Sequence, residues 1–446
     1  MKTLKSLAIS LYAVCCIVML AIQPLGASPL RYKDYLPAPT CENCHSAILD
    51  QYSESQHAKA FSDPLFQAQY FKEILPQAEK DPRFVHEAKA CIACHSPIDS
   101  IKRKALITLK DQVDSILSGV ACDFCHTIKG YDGEVPGNGN FISDPNIERK
   151  LGPFKGADNW HHIYSELQTK SEFCGICHNA VNQYGLEVKS TFTEWKNSDY
   201  ASKGIQCQDC HMNLKGFLQE GKPIYDSGRA ANPSSTFGVG GQYRSTLYTH
   251  RFPGAHSRSQ ISGAETITLK IETEKPIASP DDEIIIHVFV DNSRTGHKMP
   301  SGSKELRQMW LELAAYNGNK KFSIPAVATG ADTYDVAGKG QFDQEILGED
   351  MPKGSRIYRA VFVDKTGKQT LSFYDAVKII FDNRLNATEI RKETFYFKVP
   401  KDFRGKIFLQ ANVNYLPYPS SLSNRLGLPK PRLFEVSSAK KEVPLQ

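Results

Sequence analysis

The sequence lacks long apolar runs, blocks of like charge and scattered cysteines. Beyond its first 27 residues no segment has 18 consecutive apolar residues, which excludes further membrane-spanning helices. Charged residues make up 23% of the chain with a net charge of +5, too mild and too evenly spread for a protein that binds nucleic acid or an anionic membrane surface. Twelve cysteines among 446 residues are too few for a small disulfide-stapled domain. These absences leave a globular chain long enough for about three domains.

The first 27 residues form a separate segment. Lys2 and Lys5 precede the apolar run from Leu7 to Ile22, and small residues follow up to Ala27 and Ser28. This order predicts a secretory signal peptide, cleaved near Ala27, and therefore a periplasmic or extracellular protein. The run is shorter than the roughly 20 residues that a spanning helix needs, so an uncleaved anchor is the alternative.

Every cysteine outside the predicted signal peptide belongs to one repeated pattern, Cys-x-x-Cys-His. This spacing is the attachment site of c-type haem, in which two thiols bind the macrocycle covalently and the adjacent histidine is the proximal iron ligand. Five copies that use all ten cysteines predict five covalent haems. The cysteine pairs are Cys41 and Cys44, Cys91 and Cys94, Cys122 and Cys125, Cys174 and Cys177, and Cys207 and Cys210, followed by His45, His95, His126, His178 and His211.

Two other uses of paired cysteines fit poorly. Structural zinc combines such pairs in twos or with distant histidines, and five pairs would leave one without a partner. A thioredoxin-type redox motif normally occurs once, near a βαβ pattern. The predicted export also agrees with haem, since c-type haem is attached outside the cytoplasm in bacteria.

Eight histidines remain as candidates for the sixth ligand of these irons. A low-spin electron-transfer haem commonly takes a distal histidine or methionine. The preferred candidates are His57, His161, His162, His250, His256 and His297. Met299 is a minor alternative to His297. His86 is either an iron ligand or an ordinary residue on a helix surface. His287 is better explained as part of an apolar strand.

The chain divides into two halves by pattern. Residues 28–260 contain all five motifs, starting at 41, 91, 122, 174 and 207, and predict an α-rich domain of short helices and loops around stacked haems. The alternation of longer and shorter intervals suggests duplication of a two-haem unit. Residues 261–446 contain no cysteine and show seven or eight strand-like runs between turn residues, which predict an all-β, immunoglobulin-like sandwich. His297 would then reach back from the sandwich to a haem.

Several segments resemble a known family. The stretch from Thr193 to Met212, the run Gly119-Val-Ala-Cys122 and the run Ser55-Gln-His57-Ala58 are similar to multihaem cytochromes of the cytochrome c-554/c-prime type, within the hydroxylamine-oxidoreductase-like superfamily. The resemblance covers about residues 38 to 260 and implies parallel and perpendicular haem pairs, with His57 as a distal ligand. The tetrahaem members have one attachment site fewer, and the small members lack the sandwich.

The leading functional hypothesis is an exported electron carrier with mostly bis-histidine haems and no catalytic residue of its own. Its partners would be a redox protein donor and acceptor, such as a membrane quinol-oxidising complex or another cytochrome, and not nucleic acid. The rival is a reductase or oxidase of a small nitrogen or sulfur compound, which would need one open iron. No Cys-x-x-Cys-Lys motif is present, so a lysine-ligated catalytic haem is not supported. A subunit of a haem filament is a third hypothesis.

Overall fold

The computed structural model describes residues 34–103, 105–145, 150–155, 162–216, 218–232, 241–255, 267–330, 334–338, 346 and 350–446. The predicted signal peptide and two candidate ligands, His161 and His256, lie outside these residues. Within the described part of the chain, no helix has the length and apolar character needed to cross a membrane.

Short helices dominate the first half. Asp63 and Asp81 cap two of them, each with a proline as the next residue, so the cap and the restricted backbone of proline fix where the helix starts. The α-helices are α1 (Glu42–Glu54), α2 (Pro64–Ala68), α3 (Leu75–Ala78), α4 (Pro82–His95), α5 (Pro97–Lys102), α6 (Cys122–Cys125), α7 (Ser171–His178), α8 (Thr191–Lys196), α9 (Asp199–Ser202), α10 (Cys207–His211) and α11 (Ser420–Leu426). A π-helical segment, Gln69–Ile74, joins α2 to α3.

Small two-stranded sheets connect the helices of this half. Three pairs are antiparallel and β3 with β4 is parallel. They are β1 (Ile128–Tyr131) with β2 (Phe141–Ser143), β3 (Lys150–Gly152) with β4 (His162–Tyr164), β5 (Ala180–Val181) with β6 (Glu187–Lys189), and β7 (Asp226–Arg229) with β8 (Tyr243–Leu247).

The second half is built from antiparallel sheets. One has the order β17-β10-β9, a second has β12-β11-β18-β19 with β13 also paired to β11, and a third has β15-β14-β16. The strands are β9 (Thr268–Thr273), β10 (Glu283–Asp291), β11 (Gln308–Asn317), β12 (Lys320–Ile324), β13 (Arg356–Tyr358), β14 (Ala360–Asp364), β15 (Gln369–Thr370), β16 (Ala376–Asp382), β17 (Ile390–Lys398), β18 (Lys406–Leu416) and β19 (Phe434–Pro444).

The first two of these sheets share one hydrophobic core. Alternate residues of β10, such as Ile284 and Ile286, are fully buried, as are Ile407 and Leu409 on β18, because side chains alternate between the two faces of a strand. All buried members of this cluster lie at or beyond Ile267. Among the residues that the structure describes, this core therefore takes no buried side chain from the first half.

Other contacts join the two halves. Helix α11 packs Leu422 and Leu426 against Leu65 and Ala68 of α2 in one buried cluster. The side-chain amide of Asn182 donates to the carbonyl oxygens of Phe373 and Ala376 at 2.8 Å each. The prediction of an entirely β second half therefore missed α11, and the first half contains more strand pairs than short helices and loops alone would give.

Candidate haem-binding site

Each Cys-x-x-Cys-His motif lies on or beside one helical turn. Helix α6 consists of Cys122–Cys125 and helix α10 of Cys207–His211, while α4 and α7 end at the histidine of their motifs. In the first motif, His45 departs from helical geometry inside α1. Because residues three apart share a helix face, the two thiols of a motif point to the same side. This is the arrangement that two covalent bonds to one macrocycle require.

All five motifs open onto one interior cavity of about 1200 Å³. Its lining contains all ten motif cysteines, all five motif histidines and four further histidines, His57, His162, His250 and His297. His86 and His287 are not among the lining residues. A largely apolar space of this extent, lined by thiols and imidazoles, fits porphyrin macrocycles with their iron.

Three motif histidines are oriented by main-chain carbonyls. The Nδ1 atom of His45 lies 2.7 Å from the oxygen of Ala230, and that of His95 lies 2.7 Å from the oxygen of Ala60. His126 makes the same contact with Leu151 at 2.6 Å. A proton on Nδ1 that is donated to a carbonyl places the lone pair on Nε2, which is the tautomer that a metal-binding histidine needs.

Three pairs of imidazoles face each other across the cavity. The ring centroids of His57 and His178 are 6.2 Å apart. Those of His126 and His250 are 6.5 Å apart, and those of His211 and His297 are 6.2 Å apart and nearly parallel.

This separation fits one iron between each pair. An imidazole–metal bond is about 2 Å long and a ring centroid lies about 1.1 Å from its nitrogen, so two imidazoles on opposite sides of one metal have centroids roughly 6.2 Å apart. His250 and His297 also place Nδ1 near carbonyl oxygens, at 3.1 Å from Tyr248 and 2.9 Å from Lys298. Their Nε2 atoms are then free for a metal.

Burial keeps several of these imidazoles neutral. It lowers the pKa of His57 to about 3, with His178 adding to the effect. It also lowers the pKa of His211 and of His250 to about 4. Only a neutral imidazole has the lone pair that binds iron, so the cavity favours the ligating form at neutral pH.

His95 has a different neighbour. The ring of Phe66 stacks on it at 3.9 Å between centroids and 8° between planes. Among the described residues, no second imidazole faces His95 as His57 faces His178. In the described part of the chain, His95 therefore has an aromatic hydrocarbon beside it and no facing imidazole.

The other described histidines lie outside the three facing pairs. His162 lines the cavity but places its Nε2 atom 2.8 Å from the carbonyl oxygen of Phe154, so only Nδ1 is left for a metal. His86 is exposed on α4. His287 lies on β10, where its ring contacts Thr394 and Glu274, in agreement with the strand prediction.

Cysteines of different motifs meet inside the cavity. The thiol of Cys122 is close enough to lower the pKa of Cys41, and the pKa of Cys94 is lowered by Cys177 and that of Cys207 by Cys174 in the same way. The first motif therefore adjoins the third, and the fourth adjoins both the second and the fifth. Spatial order along the cavity differs from order along the chain.

Gly119 fixes the main chain next to His57. It has a φ of +74°, and a Cβ there would lie 2.7 Å from the carbonyl oxygen of His57 and 2.6 Å from that of Ala58. The next residue, Val120, donates its N–H to the same His57 oxygen at 2.9 Å. The segment before the third motif is thereby attached to the segment that carries His57.

Replacing Gly119 with alanine is expected to lower the free energy of unfolding by about 3 kcal/mol, since left-handed backbone strain and a main-chain clash add together. Gly204 has a φ of +75° with nothing within 4 Å of its added Cβ. Gly204→Ala is therefore the matched control, with a loss of about 1 kcal/mol from strain alone. Denaturant unfolding of both variants measures the difference, and equal losses would show that the contact with His57 has no role.

Sequence reasoning missed three contributors to the site. Phe66 gave no signal, because a phenylalanine in an apolar helix is usually a core residue. Gly119 and Glu194 lie in the family-like segments, which indicate no structural role for either residue. In the structure, Glu194 contacts the loop of His297.

Comparisons with known proteins agree with this site. The family model for cytochrome c554 and c-prime matches residues 40–127. Cytochrome c-554 of Nitrosomonas europaea is 30% identical over 201 residues, a match that spans 42% of this chain and 78% of that protein. The crystal structure of a penta-heme cytochrome c552 from Thermochromatium tepidum has a TM-score of 0.63 at 19% identity, over 92% of this chain and 99% of that one, and so shares the fold. The chain therefore belongs to the cytochrome c554 and c-prime family of multihaem c-type cytochromes, with covalently bound haem c as its cofactor.

Proposed function

We propose that the protein is an exported electron carrier with five covalent haems, attached through the ten motif cysteines, with His45, His95, His126, His178 and His211 as proximal ligands. The observation that carries this proposal is the set of three imidazole pairs, each with the separation that one iron needs. His57, His250 and His297 are then the distal ligands opposite His178, His126 and His211. His161 and His162 remain as candidates for the iron of His45, and His256 has no assigned partner.

Bound haem supplies a one-electron couple at each iron. Main-chain carbonyls hold five of these imidazoles in a single tautomer, which restricts ligand motion between redox states. Apolar lining excludes water from the irons. The thiol contacts bring the first motif next to the third and the fourth next to the second and fifth, so electrons would have short steps between neighbouring sites.

The proposal also includes the domain organisation of the two halves. Residues 28–260, after removal of residues 1–27, would form the cytochrome domain, and residues 261–446 an immunoglobulin-like sandwich. Two antiparallel sheets with one shared core support the sandwich. Export to the periplasm or the cell exterior follows from the predicted signal peptide, and redox proteins would be the donor and acceptor.

A second candidate function is reduction or oxidation of a small nitrogen or sulfur compound at the iron of His95. The supporting observation is Phe66, which packs on His95 while no imidazole among the described residues faces it. An iron without a sixth protein ligand can bind a small molecule. The two functions are compatible, since four closed irons would then deliver electrons to one open iron.

Carbon monoxide titration of the reduced protein tests both functions. Carbon monoxide binds an iron only where the sixth position is open, and we expect one of five haems to react. Reaction of no haem would overturn the second candidate and leave the carrier. Reaction of three or more would contradict the proposed distal ligands.

Replacing His297 with alanine is expected to add one carbon-monoxide-binding, high-spin haem while all haems stay attached. The reason is that the covalent bonds of the fifth motif are not changed by the loss of a distal ligand. Visible spectra and intact mass check the two parts. An unchanged low-spin content would remove His297 from the proposed ligands.

A further inference from the structure

Glu194 contacts the loop of residues 297–301 through a buried carboxylate. Its side chain is 7% exposed, and both oxygens have two donors. Oε1 accepts from the Ser190 hydroxyl at 2.7 Å and from the Arg384 guanidinium at 2.8 Å. Oε2 accepts from the backbone N–H of Lys298 at 3.2 Å and from the Ser301 hydroxyl at 3.1 Å. A carboxylate at this depth is stable only because all four contacts replace its hydration.

The opposite side of the same loop is attached to the end of β16 and to the residues that follow it. The Lys298 ammonium lies 3.1 Å from Asp382, and Arg384 binds both oxygens of Asp382 at 2.9 Å. Met299 exchanges main-chain hydrogen bonds with Leu385 at 2.9 Å in each direction. The loop is therefore fixed on one side by the β16 region and on the other by Glu194.

Helix α8, which carries Glu194, also reaches the fifth motif. Its Phe192 and Trp195 are buried in one cluster with Cys207 and Cys210 packed against it. One helix of six residues thus contacts the motif of His211 on one face and the loop of His297 on the other. The distance between the two imidazoles depends on this helix.

We propose that Glu194 is a positioning residue that holds His297 opposite His211, an inference that rests on the proposed role of His297 as an iron ligand. Glu194 does not touch the iron site itself. It joins the segment that follows the distal ligand to the helix that packs on the proximal motif.

Glutamine at this position would keep the shape of the side chain and break the arrangement of donors. A glutamine amide has one accepting oxygen and one donating NH₂ group. In either orientation that NH₂ group faces a group that can only donate, the Arg384 guanidinium or the Lys298 backbone N–H. The hydrogen bonds at one of the two side-chain positions are therefore lost, and His297 should detach from its iron more often.

The experiment measures carbon monoxide binding by the haem-loaded, reduced protein. An iron with two protein ligands reacts only while the distal histidine is detached, so the slow reaction rate at that iron reports the detached fraction. For Glu194→Gln we expect this rate to rise about 10- to 100-fold at one haem, the loss expected for buried hydrogen bonds to a charged group. The matched control is Glu166→Gln, because Glu166 forms an exposed ion pair with Lys170 and contacts no part of the loop.

His297→Ala separates the two ways in which this idea can fail. If His297→Ala opens one iron and Glu194→Gln behaves as the wild type, Glu194 has no positioning role although His297 is a ligand. If His297→Ala opens no iron, the ligand assignment and the positioning role are both wrong.

Should Glu194→Gln not mature, Ser301→Ala removes a single donor to the same carboxylate. Its rate should rise about 2- to 10-fold, and an unchanged rate would overturn the proposal.

Discussion

A chain produced without covalent haem attachment is expected to lose the fold of residues 34–255. The helices of the motifs are as short as four and five residues and are not stable alone. They surround a cavity of about 1200 Å³. Without the macrocycles, the mostly apolar lining of this cavity would be exposed to water instead of being packed, which removes much of the hydrophobic stabilisation of this half.

The two sheets that share one core provide the internal control for this result. Among the described residues, that core contains no buried residue from the haem-binding half. In a haem-free chain, limited proteolysis should therefore cut throughout residues 34–255 while the strands of these two sheets, β9 to β13 and β17 to β19, stay protected. Retained helical circular dichroism and protection in the first half would show that the polypeptide packs this region without its cofactor.

Replacement of His57 by alanine is expected to have the largest effect among single axial-ligand changes. His57 faces His178, whose motif adjoins both the second and the fifth motifs through its thiols. Loss of an imidazole should open one iron to carbon monoxide and shift one midpoint potential by on the order of 100 mV, a fraction of the roughly 0.8 V over which axial ligands set haem potentials.

His86→Ala is the matched control for that variant. His86 is an exposed histidine on α4 and does not line the cavity. Redox titration of both variants by visible absorbance, with bound carbon monoxide counted, gives the comparison. The same set of potentials in His57→Ala and the wild type would exclude His57 as a ligand.

The sequence predicts the parts of this protein that repeat or alternate. The motif spacing identifies every cysteine and every motif histidine that the structure places on the cavity. Alternation of apolar residues predicts most of the long strands, including β10, β11 and β18. Both patterns depend on neighbours within a few residues, so a single sequence contains them.

The parts that depend on distant neighbours were not predictable in the same way. His57 faces His178 and His211 faces His297, across long stretches of chain, and nothing local indicates which histidine serves which motif. Phe66 beside His95 is set by the packing of α2 against α4, which no periodicity encodes. Helix α11 was missed because seven residues between strands are too few for a clear helical period.

The most direct test of the account is the intact mass of the protein matured in a strain that attaches c-type haem, with iron content measured on the same sample. The account predicts the mature polypeptide plus five covalent haems and five irons. Four or fewer haems, or zinc in place of iron, would contradict it.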